Sequence, residues 1–105
     1  SSTQEKTGDP YSNGQVSSKY TVTSDGLKNG PYITFYENGQ KRSEGKYQND
    51  KQVGSWTTWH DNGNKSSEGS FENGLQAGEW KFYYQDGKLQ QINHEIKNIF
   101  INNIN

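Results

Sequence analysis

The chain has 105 residues, of which only 26% are hydrophobic, and its formal net charge is −1. This length suits a single domain, and the absence of Cys excludes disulfides and cysteine-based metal or catalytic sites. The near-neutral charge argues against nucleic acid as a partner, because binding to phosphate backbones needs a basic surplus, and no apolar run is long enough to form a transmembrane segment.

About half of the hydrophobic residues are aromatic: three Trp, seven Tyr and four Phe. Disordered chains are poor in aromatic residues, so we expect this chain to fold by a route that needs little aliphatic volume. Residues 1–10 contain no aromatic residue and no periodic pattern. They are therefore predicted to be a flexible N-terminal tether.

Residues 11–91 are dominated by an internal repeat. Gly30, Gly54 and Gly78 are 24 residues apart, and Asn, Gly, Lys, Ser and Glu residues recur at the same offset. Periods of 20–50 residues are typical of repeat arrays, in which each unit buries its surface against the next. The units run over about residues 8–29, 30–53, 54–77 and 78–91, and the first contains one extra residue between Val22 and Gly30.

Each unit is predicted to be a β-hairpin. Its first strand is short and aromatic: Tyr32–Tyr36, Trp56–His60 and Trp80–Tyr84. An Asn-Gly or Asp-Gly pair follows, and these pairs predict type I′ turns because both central residues need a positive φ; the pairs are Asn38-Gly39, Asn62-Gly63 and Asp86-Gly87. The second strand covers about residues 41–47 and 65–71, and looser turns are expected at Gln48–Val53 and Glu72–Ala77.

The predicted fold is all-β: an elongated, single-layer antiparallel sheet of stacked hairpins, since no crossover helix fits between the strands. Alternation along a strand places Tyr32, Trp56 and Trp80 on one face of this sheet. Gly45 and Gly69 lie on the second strands, where a glycine allows a neighbouring aromatic ring to lie flat over the backbone.

Residues 92–105 form a C-terminal cap segment with two possible structures. Its apolar residues have a spacing that favours an amphipathic capping helix: Ile92, Ile96, Ile99, Phe100 and Ile104. The many Asn and β-branched Ile residues are mediocre helix formers, and Ile99 and Ile101 could equally alternate along a strand.

The polar residues give no indication of catalysis. His60 occupies the repeat position held by Tyr36 and Tyr84, which favours a packed ring over a ligand. Glu44 and Glu68 recur at the repeat offset, and a flat sheet offers neither the cleft nor the raised pKa that a pair of catalytic carboxylates needs. We expect them to form exposed cross-strand ion pairs with Lys41, Lys46 or Lys65. No enzyme activity, metal site or cofactor is predicted.

The candidate binding residues are Phe35, Trp59 and Tyr83, which alternation places on the face opposite Trp56. An exposed aromatic row with one ring per repeat suits a protein partner, since aromatic residues are enriched at interface centres. The row could instead stack on sugar rings of a glycan or cell wall, or be covered by other parts of the chain. Phospholipid binding is disfavoured by the near-zero charge, and the open edges of the sheet could allow self-association.

The order of these residues resembles the variant MORN repeat: Gly-x-aromatic-x-x-aromatic-aromatic, then Asn-Gly, Glu-Gly, an aromatic residue and a second Asn-Gly. The resemblance covers Gly30 to about Lys88 well and Gly14–Asn29 loosely. It departs from the pattern after Lys88, where Asn93 replaces a Gly and Glu95 replaces an aromatic residue.

The resemblance implies an elongated antiparallel sheet of stacked hairpins. Bacterial proteins of this kind are often small, and either secreted or attached to the cell envelope, for example as lipoproteins. Many are described as the antitoxin of a toxin–antitoxin pair, and eukaryotic proteins with the parent repeat are described as protein-interaction or phospholipid-binding modules. The resemblance thus implies a non-enzymatic interaction module, antitoxin-like or envelope-associated, and it favours a secreted or cell-envelope location over a cytoplasmic one.

Overall fold

The computed structural model describes residues 3–96, with the side chains of residues 3–94. Eight strands form one antiparallel sheet in which every strand pairs with its neighbours in sequence. The predicted all-β sheet of hairpins is confirmed, and the sheet is a thin slab of 46 × 37 × 18 Å. The strands are β1 (Thr3–Thr7), β2 (Ser18–Thr23), β3 (Lys28–Phe35), β4 (Lys41–Gln48), β5 (Lys51–Trp59), β6 (Lys65–Glu72), β7 (Leu75–Tyr83) and β8 (Leu89–Ile96). Among the described residues, no helix is long and apolar enough to cross a membrane.

The N-terminal segment differs from the predicted tether at residues 1–10. Strand β1 pairs with β2, from Thr3 opposite Thr23 to Thr7 opposite Lys19. All five of its side chains are exposed, so this edge strand is held by backbone hydrogen bonds and not by an apolar face. The sequence of β1 therefore has no hydrophobic alternation from which this strand could have been predicted.

The Asn-Gly turns between the two strands of each unit are not the type I′ turns that the sequence predicts. Gly39 has a φ of 90°, whereas Asn38 does not have a positive φ. Tyr36 N donates to Gln40 O over 2.8 Å, and Gly39 N donates to Tyr36 O over 2.9 Å. These bonds define a three-residue loop in which a type I turn is followed by a left-handed glycine. The same geometry recurs at Gly63 and Gly87.

The turns that join one unit to the next are tighter than predicted. Asn49 and Asp50 have φ values of 51° and 70°, and Asn73 and Gly74 have φ values of 51° and 86°. Two consecutive positive φ angles are characteristic of a type I′ turn of two residues. Gln48–Val53 and Glu72–Ala77 are thus not loose turns, and the paired strand begins directly after each tight turn.

The extra residue of the first unit is accommodated in the turn between β2 and β3. Thr23 N donates to Leu27 O over 2.8 Å, and Gly26 has a φ of 86°. This turn is a three-residue loop in the place where later units have a two-residue turn. One inserted residue therefore changes the turn type without disturbing the sheet.

The core is a continuous layer of aromatic rings on one face of the sheet, which we call face A. Trp56 and Trp80 are 5% and 4% exposed and are the most buried large residues. Ring centroids are 5.5 Å apart for Tyr47 and Trp56, 5.8 Å for Trp56 and Phe71, and 5.1 Å for Phe71 and Trp80, all edge to face. Tyr32 extends this layer, with its ring centroid 5.0 Å from that of Tyr47.

The two tryptophan rings lie directly over glycines of the second strands. A Cβ atom added to Gly45 would lie 2.0 Å from Cδ2 of Trp56, and one added to Gly69 would lie 2.1 Å from Cδ2 of Trp80. The indole of Trp56 donates to Lys46 O and Val53 O over 3.2 Å, which satisfies its one polar group. Because glycine has no side chain, each indole packs directly against the backbone of the neighbouring strand. The tryptophans are thereby buried without a second sheet or a helix packed over them.

The C-terminal end of the described chain is a strand. Ile92 and Ile96 belong to β8, which pairs with β7 through Trp80 opposite Asn93 and Gly78 opposite Ile96. The prediction of a capping helix is therefore wrong for residues 92–96. The backbone N–H and C=O groups of this segment pair with those of β7 and not with one another. Ile99, Phe100, Ile101 and Ile104 lie outside the described residues.

Candidate functional site

The candidate site lies on the face opposite the tryptophan layer, which we call face B. One row of side chains on this face crosses all eight strands in direct register: Thr7, Lys19, Ile33, Glu44, Thr57, Glu68, Lys81 and Ile92. The predicted row of Phe35, Trp59 and Tyr83 runs beside it, at the ends of β3, β5 and β7. The structure brings the three aromatic residues to one face, and each of them is half-buried.

Each aromatic residue of the row meets a charged group from a neighbouring strand. Lys19 Nζ lies 5.8 Å from the ring centroid of Phe35, and Lys41 Nζ lies 5.8 Å from that of Trp59. Lys41 also forms a 3.0 Å ion pair with Glu44; the partner is one of those predicted, but the pair lies within β4 and does not cross between strands as predicted. Cation–π contacts at exposed sites contribute about 0.5–1 kcal/mol, which favours this arrangement of ring and ammonium.

The third ring is held by a carboxylate. Tyr83 Oη donates to Glu68 Oε2 over 2.6 Å. Glu68 also forms a 3.0 Å ion pair with Lys65, one of the predicted partners, but within β6 and not across strands. The hydrogen bond from Tyr83, followed by that from Lys65, lowers the pKa of Glu68. The same hydrogen bond raises the pKa of Tyr83, because it stabilises the protonated phenol. Glu68 is thus held in its ionised form.

The backbone of each row residue is fixed by a ring from the preceding unit. Tyr11 Oη donates to Phe35 O over 2.8 Å, and Tyr36 Oη donates to Trp59 O over 2.6 Å. His60 takes the same place in the third contact, with Nε2 2.9 Å from Tyr83 O. Since a carbonyl oxygen only accepts, this imidazole carries a proton on Nε2. His60 is therefore a positioning residue.

The turn asparagines form a second column between units, which the sequence analysis did not detect. Asn38 Nδ2 donates to Asp61 O over 2.9 Å, and Asn62 Nδ2 donates to Gln85 O over 2.8 Å. Asn13 makes the same bond to Glu37 O over 3.0 Å. The recurrence of Asn at this position is the signal that could have revealed the column. Asp86, the last member, has no side-chain amide to donate. It accepts a bond from Lys88 N, as each asparagine of the column also does from the residue two positions further on.

The other residues singled out as structural occupy corresponding places in successive units. The glycines that open the units, Gly30, Gly54 and Gly78, all have a positive φ. Each of them lies at or next to a point where the pairing between strands is irregular. This point comes shortly before Tyr32, Trp56 or Trp80 on the same strand. Tyr32 and Trp56 are in turn paired with Gly45 and Gly69.

Two hollows include residues of face B that neighbour the aromatic row. One lies at the β1–β3 end of the sheet, has a volume of about 500 Å³ and is lined by Thr7, Lys19, Pro31 and Ile33, among others. The other, of about 350 Å³, is polar and lined by residues including Thr57, Glu68, Glu79 and Lys81. Face B therefore combines fixed aromatic rings, paired charges and shallow recesses, an arrangement suited to surface recognition.

Three consecutive segments of the chain match the family model described as MORN repeat variant: residues 28–49, 52–73 and 76–97. Each segment spans one hairpin of the sheet, and the third includes β8, where the sequence pattern departs from its neighbours. Neither a curated protein nor a solved structure matches the chain. Since the matched segments together cover more than half of the residues, this chain belongs to the MORN repeat variant family.

Proposed function

We propose that this chain is a non-enzymatic repeat module that binds a protein partner through face B, with Phe35, Trp59 and Tyr83 as its anchors. The observation that carries this proposal is that all three rings lie on one face, one per repeat, and are held in place before any partner binds. Each ring meets a charged side chain, and each backbone carbonyl is bonded to the preceding unit.

Such preorganisation favours tight binding. An interface loses free energy for every flexible side chain that it orders, and rings already fixed by their own protein avoid most of that loss. Aromatic residues are also enriched among the few residues that dominate binding energy. The ion pairs Lys41–Glu44 and Lys65–Glu68 lie beside the rings and are partly exposed, as the polar surroundings of an anchor usually are.

The dimensions of the row suit a standard protein interface. Equivalent residues of adjacent units are two strands apart, about 9–10 Å, so three rings span about 20 Å. A patch of that length fits within the roughly 800 Å² that each partner buries in a typical complex. The hollow lined by Pro31 and Ile33 lies at one end of the row and could receive an apolar side chain of the partner.

The same contacts argue against sugar stacking on this row. Lys19 and Lys41 lie over the rings of Phe35 and Trp59, so a sugar would have to displace an ammonium group to use that ring surface. Within the proposal, the partner is a toxin or an envelope protein, since bacterial proteins that resemble this chain are described in those roles.

The test compares partner capture by the wild-type chain and by the variant F35A/W59A/Y83A. A variant with Leu75→Ala and Tyr84→Ala is the matched control, because both residues are large, exposed and outside the row. Captured proteins are identified by mass spectrometry, purified and titrated by calorimetry. We expect the affinity of a purified partner to fall at least 100-fold in the triple variant and to be unchanged in the control. Equal affinity for all three folded chains would contradict the assignment of face B.

A further inference from the structure

Face A carries a row of hydroxyl groups beside its tryptophan layer. Five Ser and Thr residues on consecutive strands β2–β6 are paired in direct register: Ser18, Thr34, Ser43, Thr58 and Ser67. Phe82 and Gln91 continue the row on β7 and β8. Thr34 is buried, and the other four hydroxyl residues are half-buried. We call these five residues the hydroxyl row.

In the two units 30–53 and 54–77, the hydroxyls bond to one another and retain the capacity to bond to a ligand. Thr34 Oγ1 and Ser43 Oγ are 2.5 Å apart, as are Thr58 Oγ1 and Ser67 Oγ, and Thr58 Oγ1 also lies 2.6 Å from Ser66 Oγ. The first cluster uses one of its two O–H groups in these bonds and the second uses two of its three, so one donor and several lone pairs remain in each. Each of these two units therefore presents a small cluster that can donate and accept at the same point.

The hydroxyl row forms part of a groove that crosses β3–β7. The groove has a volume of about 420 Å³, and its lining combines Thr34, Ser43, Thr58 and Ser67 with aromatic rings, two carboxamides and the guanidinium of Arg42. Arg42 lies over the ring of Tyr36, 5.9 Å from the centroid, with its guanidinium beside the row. Mixed hydroxyl, amide and aromatic linings are suited to polar ligands that also have flat apolar surfaces.

The strands of face B carry both carboxylates and cations, whereas within β1–β7 the strands of face A carry cations only. Within β1–β7, register and alternation place every carboxylate of the strands on face B: Glu5, Glu44, Glu68, Glu72 and Glu79. On face A, the strands carry Lys6, Lys28 and Arg42. The ammonium of Lys28 lies within 5.8 Å of the ring centroids of three tyrosines. The backbone N–H of Lys28 donates to the carboxylate of Asp50 in the neighbouring turn. Arg42 is therefore the cation that borders the hydroxyl row.

We propose that face A binds a linear, β-linked glycan that carries carboxylate groups, with the chain of sugars lying across the strands along the hydroxyl row. Equivalent hydroxyl pairs are two strands apart, about 9–10 Å. In a β-linked chain whose sugars alternate in orientation, the same group recurs at every second sugar, over a similar distance. In a peptide with β-strand geometry, groups on the same side recur every two residues, about 6.6–6.8 Å, which does not match this interval.

Within this site, the two hydroxyl pairs bond to sugar hydroxyls and Arg42 receives a sugar carboxylate. Guanidinium groups bind carboxylates through two parallel hydrogen bonds, which accounts for a preference for acidic over neutral chains. The equivalent position in the next unit is Ser66, which bonds to Thr58. A sugar carboxylate is therefore bound only at the Arg42 end of the groove. This proposal does not depend on partner binding at face B.

The test uses two hexasaccharides that differ only at carbon 6: β-1,4-linked glucuronic acid and cellohexaose. Binding to the full chain is measured by calorimetry and by backbone amide shifts in NMR spectra. The variant T34V/T58V removes two hydroxyls and keeps the β-branched shape, R42Q removes the charge, and T57V removes a hydroxyl from the same strand on face B. Circular dichroism establishes that each variant folds.

We expect the wild type and T57V to bind the acidic hexasaccharide at least tenfold more tightly than cellohexaose. R42Q should lose this preference, and T34V/T58V should bind the acidic chain about tenfold more weakly, because two hydrogen bonds to a polar ligand are lost. Absence of binding to both hexasaccharides at millimolar concentration would overturn the proposal. It would be overturned equally if T34V/T58V bound as tightly as the wild type, or if the amide shifts clustered on face B.

Discussion

The contact between Trp56 and Gly45 can be tested by placing a single methyl group between them. In Gly45→Ala, the new Cβ would lie 2.0 Å from Cδ2 of the indole, whereas ordinary contacts begin at 3.4 Å. The ring must therefore retreat by about 1.4 Å, and it cannot do so by bending a flexible end. Full burial of a Trp side chain contributes roughly 4–6 kcal/mol, from about 150–250 Å² at about 25 cal/mol per Å².

Only part of that burial is lost when the ring moves, and overpacking of a core typically costs about 1–3 kcal/mol. We therefore predict that Gly45→Ala lowers the free energy of unfolding by about 2–4 kcal/mol. Urea unfolding followed by circular dichroism measures this change without relying on the fluorescence of Trp56. Gly69→Ala should have a similar effect through Trp80, since its Cβ would lie 2.1 Å from the same atom of that ring.

A double-mutant cycle separates this contact from a general effect of alanine on the strand. Trp56→Leu leaves room over Gly45, so Gly45→Ala should then cost little, and alanine should even favour the strand slightly over glycine. The coupling energy between the two substitutions should thus be about 2–4 kcal/mol. If Gly45→Ala destabilises the wild type and the Trp56→Leu variant equally, the flat packing of the ring over the glycine is not the cause.

Three further predictions concern the contacts that hold the units together. The pKa of Glu68 is lowered in the folded chain, mainly by the hydrogen bond from Tyr83. The contribution of Glu68 to stability is therefore present above its unfolded pKa and is lost as pH falls through the folded value. Tyr83→Phe should lower the melting temperature slightly at pH 7, and thermal melts at decreasing pH should show this difference disappear. His60→Phe should cost about 1 kcal/mol and His60→Tyr much less, and equal urea midpoints for both would refute the bond to the next unit. Asn38→Ala should destabilise the chain more than Asp86→Ala in the same assay, because only Asn38 bonds to a following turn.

Much of the sheet could be predicted because the repeat imposes the same environment on each unit. Period, strand alternation and the aromatic positions together placed Trp56 and Trp80 on one face and Phe35, Trp59 and Tyr83 on the other. The Asn-Gly and Asp-Gly turns were located correctly but their type I′ assignment was wrong, and the turns between units, expected to be loose, are the ones with two consecutive positive φ angles. Asn-Gly is compatible with either geometry, and the number of residues left between paired strands decides which one forms.

The candidate site could be predicted only in its aromatic residues. The partners of these residues lie on neighbouring strands or in the preceding unit, and no local pattern indicates which side chain reaches which carbonyl. Tyr36 and His60 differ in chemistry, yet they occupy the same place and bond to equivalent backbone atoms of the next unit. The hydroxyl row likewise becomes visible only when five strands are aligned in register.

The sequence by itself thus determined the period, the fold class and the face on which each aromatic ring lies, since all three follow from spacing along the chain. Tertiary structure alone decided the pairing of Thr3–Thr7 with β2, the types of the turns and the contacts between units. Those features depend on backbone hydrogen bonds and on register between strands, which carry no periodic signature in side-chain chemistry.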